Sequence, residues 1–118
     1  MALSLMDKMD GDWVVDETSP TTDAQYNCRF DNGLQIEYGI KSVTRNTGAN
    51  NVSLTWLRPF VSNSLPVMHA QYNTSIPKSW IAYTNGASNT GGTIGLYNDS
   101  GTSASGAAMR YFVVGRWK

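Results

Sequence analysis

Residues 31–40 read DNGLQIEYGI, and their pattern decides the fold class. Asn32-Gly33 is a strong hairpin-turn signal, because both residue types tolerate positive φ. Leu34, Ile36, Tyr38 and Ile40 then share one face of an extended segment, while Gln35, Glu37 and Lys41 take the other. This period of two predicts a half-buried antiparallel strand, apolar face to the core and polar face to solvent.

The same period recurs on both sides of this landmark. In VSLTWL, Val52, Leu54 and Trp56 point one way and Ser53 and Thr55 the other. Pro59 and Pro66 bracket a corner, since proline lacks the N–H that a central strand needs. VMHAQY and SWIAYT predict two further strands flanking NTSIPK. In MRYFVVGRWK, Met109, Tyr111, Val113 and Trp117 lie on one face and Arg110, Phe112, Val114 and Arg116 on the other. Apolar residues on both faces predict a strand buried from two sides, by the core and by another subunit. Upstream, DWVVD is a brief β-like run, followed by the turn-rich linker ETSPTTD. Residues 84–108 hold over half of the eleven glycines, and only TIGLY within them predicts a strand. Short strands separated by frequent turns predict an antiparallel sandwich or barrel.

At the start of the chain, Ala2, Leu5, Met6 and Met9 recur at helical spacing, one stripe of a short helix that Gly11 would end. So short a helix gains stability by packing its stripe against other copies, or forms the stub of a longer stalk; a frayed terminus is the plainer alternative.

Bulk composition excludes several functions. With 118 residues the chain predicts one domain with a single core. Nine basic residues balance nine acidic ones, so the field that would hold nucleic acid is missing. No stretch approaches the length of a membrane span, so membrane insertion is not expected, and residues 1–9 lack the basic start and apolar run of a secretory signal. The single cysteine, Cys28, allows no intrachain disulfide and reads as a small buried hydrophobe. The Asn-x-Ser spacing at Asn51, Asn73 and Asn98 reads as chance in an asparagine-rich chain.

No catalytic constellation emerges. Asp10, Asp12, Asp16 and Glu17 fail the calcium-loop pattern, because Gly11 stands at the second position and no glutamate closes the loop. Asp31 and Glu37 do not read as an acid/base pair, one preceding a turn and the other on the polar strand face. His69 is the one imidazole, too few for a self-contained metal site, and reads as a surface or interface residue. Neither an enzyme, a metal nor a cofactor is expected. The aromatics are more suggestive. Trp80 and Tyr83 lie on a strand that runs into TNGASNTGG, and Tyr97 leads into NDSG. An exposed ring offers a flat face to a sugar, and neighbouring polar groups choose among hydroxyl patterns.

The segments NGLQIEYG, VSLTWLRPFVSNSLPVMHAQY and YFVVGRWK, in this order, resemble the C-terminal receptor-binding knob domains of bacteriophage tail fibres. The likeness runs from about Asp31 to Lys118, with Tyr38 where a tryptophan is frequent and TWLRPF where a Phe-Pro pair is frequent. It implies an all-β antiparallel sandwich of about six to eight short strands, similar to H-type lectins, with residues 1–30 as stalk or linker and 31–118 as the knob. It implies a homotrimer on the virion, made in the host cytoplasm, that binds a bacterial surface glycan or lipopolysaccharide without catalysis. On this resemblance the ligand-side candidates are Trp80, Tyr83, Asn85, Tyr97, Asn98 and Asp99, and the trimer contacts are Leu5, Met6, Met9, Phe112 and Val114. The alternative is a structural virion part, a head fibre or capping domain, that binds no host ligand.

Overall fold

The computed structural model describes residues 11–19, 23–45, 48–72, 80–98 and 104–118. Among the described residues there are eight strands and no helix: β1 (Asp12–Ser19), β2 (Asp23–Arg29), β3 (Leu34–Arg45), β4 (Gly48–Thr55), β5 (Val67–Tyr72), β6 (Trp80–Ala87), β7 (Gly91–Asn98) and β8 (Ala104–Arg116). Five strands form one sheet in the order β1-β2-β3-β8-β5, and three form a second in the order β4-β7-β6. Every neighbouring pair is antiparallel. This is the antiparallel sandwich expected; the short helix with Leu5, Met6 and Met9 lies outside the described residues.

The core forms where the two sheets overlap. Val43, Leu54, Phe60, Ile94, Leu96, Met109 and Val113 are buried there around Trp56 and Tyr111. Trp56 stands edge-on to Phe60 with ring centroids 6.2 Å apart, lies 6.1 Å from Tyr111, and donates its indole N–H to the Ser88 carbonyl at 2.9 Å. A buried indole thus contributes apolar area without stranding its donor. Thr84 Oγ1 donates to the Met68 carbonyl at 2.8 Å and joins β6 to β5 across the sheets.

Three sequence expectations change. First, residues 12–29 are no linker: β1 pairs along its length with β2, and β2 with β3, so the larger sheet begins well before Asp31. Second, the glycine-rich residues beyond SWIAYT are not loop apart from TIGLY: β6 runs on to Ala87 and β7 spans Gly91–Asn98, and the two form a hairpin. Its glycines admit close packing where Gly91 passes the Leu54 carbonyl and Gly92 the Trp56 ring. Composition alone reads such glycines as loop because they bring no side chain to the pattern. Third, the 31–33 turn has positive φ at Gly33 but not at Asn32. Phe30 N–H donates to the Leu34 carbonyl at 2.9 Å, Gly33 N–H to the Phe30 carbonyl at 3.0 Å, and Asn32 Oδ1 accepts from Leu34 N–H at 3.0 Å. This is a three-residue loop ending in a left-handed glycine.

β3 is inverted over residues 34–38 relative to its expected facing. Gln35 and Glu37 are fully buried, whereas Leu34 and Tyr38 are 37% and 39% exposed. The cause lies on the inner face of β2 and β3, which meets the 56–60 segment instead of apolar side chains. Glu37 Oε1 accepts from Asn27 Nδ2 at 2.9 Å and from Leu57 N–H at 2.7 Å, while Oε2 accepts from the Tyr111 hydroxyl at 3.2 Å. Gln35 Nε2 donates to the Arg58 carbonyl and Arg29 to the Pro59 carbonyl. The Arg58 guanidinium returns across the network to Asn27 and to the Asp12 carboxylate, at 2.9 and 2.7 Å. Burial pushes the Glu37 carboxyl above its usual range, and the four donors, Asn27, Leu57, Tyr111 and Gln25, pull it back part of the way.

The strand directions give the domain two unlike poles. At one, Asp12 pairs with Arg29, and Trp117 donates its backbone N–H to Gly33 and its indole N–H to the Phe30 carbonyl at 2.7 Å. The chain therefore enters the fold and leaves it beside the same turn. At the other, Asp23, Arg45, Trp80, Asn98 and Ala104 mark the strand ends.

Candidate functional site

Inverting β3 turns an apolar surface outward. Two register rows cross the five-stranded sheet: Val15–Tyr26–Tyr38–Phe112–His69 and Trp13–Cys28–Ile36–Val114–Val67. Val15, Phe112 and Val67 are 51%, 45% and 72% exposed. Tyr26 and Tyr38 stack with centroids 4.8 Å apart, and Trp13 meets Tyr38 edge-on at 6.3 Å. Cys28 is buried in this row, with Gly11 over its sulfur. A contiguous exposed apolar face of this kind is the usual mark of an interaction surface.

The polar groups around this face are unevenly spread. Glu17 lies at the β1 side, where it accepts the Tyr26 phenol at 2.5 Å; that hydrogen bond favours the neutral phenol and pushes its pKa up to about 12. Arg110 and His69 lie at the β8–β5 side, both exposed. Phe112, chosen from sequence as a subunit contact, is on this face, and so is Val114, which is partly buried.

The ligand-side candidates separate along the hairpin. Trp80 pairs in register with Asn98, and Tyr97 pairs with Ile81, so these three share the pole opposite Asp12 and Trp117. Tyr97 is 41% exposed there. Tyr83 pairs with Gly95 in mid-strand, and Asn85 stands one residue before Gly86, whose φ of 133° accompanies the bulge between Thr84 and Ala87. Asp99 lies outside the described residues. The polar network of Asn27, Gln35, Glu37 and Arg58 went unread in the sequence, yet a signal existed. The register fixed by the turn at Gly33 pairs Asn27 with Glu37 and Arg29 with Gln35, polar against polar on one face.

No protein-family model and no curated protein sequence matches the chain. Among solved structures, an N-truncated R1-type pyocin tail fibre superposes with a TM-score of 0.59 at 17% identity, over 87% of this chain and 84% of that one. An R1 pyocin fibre of P. aeruginosa comprising C-terminal residues gives 0.58 at 17% identity, over 87% of this chain and 28% of that one. An N-truncated R2-type pyocin tail fibre gives 0.56 at 18% identity, over 89% and 38%. The sandwich is therefore of the class found in tail fibres. Its likeness in particular is to the fibres of pyocins.

Proposed function

We propose that this chain is the receptor-binding tip of a virion or virion-like tail fibre, a non-enzymatic homotrimeric adhesin for a bacterial surface polysaccharide or lipopolysaccharide. The observation that carries the reading is the exposed apolar face of the five-stranded sheet on a domain with a tail-fibre fold. Three copies in a closed ring cover this face, the β1 side of one meeting the β5 side of the next. Glu17 then approaches Arg110 and His69 of a neighbour, and Tyr38, Phe112 and Val114 fill the contact. Such a heterologous contact closes only when its rotation matches the number of copies. The pole carrying Trp80, Tyr97 and Asn98 faces away from where the chain enters, as a tip requires. Each sugar contact is weak, and three per tip on several fibres raise the avidity by roughly 10²–10⁴.

The test is sedimentation of the purified chain with cell binding. A trimer at micromolar concentration that labels susceptible cells, with labelling reduced at least about tenfold by Trp80→Ala, is the expected result. A stable monomer removes the tip reading. A trimer that labels no cells is instead a structural virion part.

A further inference from the structure

Beside the core lies a second feature, between the two sheets. Because β4 is the edge of its sheet, its free side faces the inner surface of β1 and β2 across an open cleft of about 450 Å³. That volume lies within the range of about 300–1,000 Å³ usual for small-molecule sites. One wall carries Asp16, Asp23 and Lys41; the other is formed by Ser53 and Thr55 on β4; Gln25 and Tyr111 close the space between them. Gln25 Nε2 bridges the walls by donating to the Thr55 carbonyl at 2.9 Å, and the Tyr111 hydroxyl is fixed by fully buried Glu37 at 3.2 Å. The floor is thus held rigid by the same network that holds the 56–60 segment.

The charged groups of the wall are arranged differently. Asp23 and Lys41 are register partners on one face, yet among the described residues neither they nor Asp16 takes part in an ion pair. The only hydrogen bonds the two carboxylates accept from described residues are one each, from Ser42 N–H to Asp23 and from Thr18 Oγ1 to Asp16, both at 3.3 Å. Each keeps an oxygen for a ligand. Two carboxylates against one ammonium leave the cleft with one net negative charge.

We propose that this cleft is a saccharide site, separate from the β6–β7 pole, that takes a neutral or amine-bearing sugar of about disaccharide size and rejects acidic ones. Carboxylates accept pairs of sugar hydroxyls or an ammonium, Lys41 donates to ring or hydroxyl oxygens, and Gln25, Ser53 and Thr55 supply neutral partners. A uronate, sialate or phosphate brought beside Asp16 and Asp23 would face like charge. The sugar class rests on the receptor reading above; the position of the site does not.

Nitrogen-15 amide NMR of the whole chain, titrated with chitobiose, the chitosan dimer and a glucuronate-containing disaccharide, tests this. The expected result is that chitobiose or the chitosan dimer shifts the amides of Asp16, Asp23, Lys41 and Ser53, and the uronate does not. Asp23→Asn, with its other amide signals unchanged, then weakens binding about tenfold, the share of one charge-assisted hydrogen bond. Shifts confined to β6 and β7 overturn the cleft and leave the receptor reading standing, and a preference for the uronate overturns the charge selection. If no saccharide binds while the trimer still labels cells, the cleft proposal fails alone. If the trimer labels no cells either, both readings fail.

Discussion

Glu37 shows how far one side chain can depart from its pattern. Alternation places it in water, and the structure buries it under four donors because the β2–β3 register sets polar residues opposite polar ones. Gly39, two residues further along β3, is demanded by closeness: a Cβ there would stand 2.4 Å from the Ala24 carbonyl oxygen and 2.8 Å from the Tyr111 hydroxyl. The raised carboxyl has a consequence for stability. The folded chain holds the Glu37 proton to higher pH than the unfolded chain, whose glutamate titrates near 4.5. The stability from this proton is complete below about 4.5 and is lost as pH rises through the folded value. Glu37→Gln is expected to flatten that slope, since an amide cannot ionise and its oxygen still accepts from Leu57 and Asn27. Urea unfolding of both proteins across roughly pH 4 to 8 checks this; parallel pH profiles would contradict it.

At the scale of elements, strands with apolar–polar alternation were legible: β3, β4, β5, the first part of β6 and β8 from Met109 onward appear where the pattern sets them, while the start of β8 at Ala104 was read as loop. What composition could not show was β7's full length and the β1–β2 pairing, where glycine and charged residues hide the period. The direction in which β3 faces was also beyond alternation alone, because period two defines two faces without saying which is covered. The cover is decided by the 56–60 segment, which arrives from a distant part of the chain. Arg58 is its fastening, joined to Asp12 on β1 and Asn27 on β2 with a side chain only 15% exposed. Arg58→Ala should lower stability by about 2–3 kcal/mol, leaving the Asn27 oxygen and Asp12 without their donor. The urea midpoint should fall with an unchanged slope. A loss below about 0.5 kcal/mol would mean that the network is held by its other bonds.

For the whole molecule, the candidate ligand residues were legible as residue types but not as a place. The sequence picks Trp80, Tyr97 and Asn98, and pairing brings their backbones together; Tyr83 and Asn85 fall elsewhere on the same hairpin. The inter-sheet cleft was invisible because its walls come from strands far apart in sequence. The apolar outer face makes the strongest demand on assembly. In the proposed trimer, Phe112→Asp places a carboxylate beside Tyr38 and Val114 in the subunit contact and should shift it to monomer at micromolar concentration while leaving the fold intact. Sedimentation with circular dichroism decides it; an undisturbed trimer would put the subunit contact on another surface. The meeting of Asp12 and Trp117 beside one turn carries a mechanical consequence. A pull on residue 11 directed away from the Trp80–Asn98 end draws β1 along its own axis against β2, so the ladder from Asp12 to Ser19 is loaded in shear, all rungs together rather than one at a time. The Asp12–Arg58 pair sits at the first rung and grips the middle of the chain. In the proposed tip, a pull between residue 11 and the pole of Trp80 and Asn98 is thereby passed into the sandwich before any strand has begun to peel.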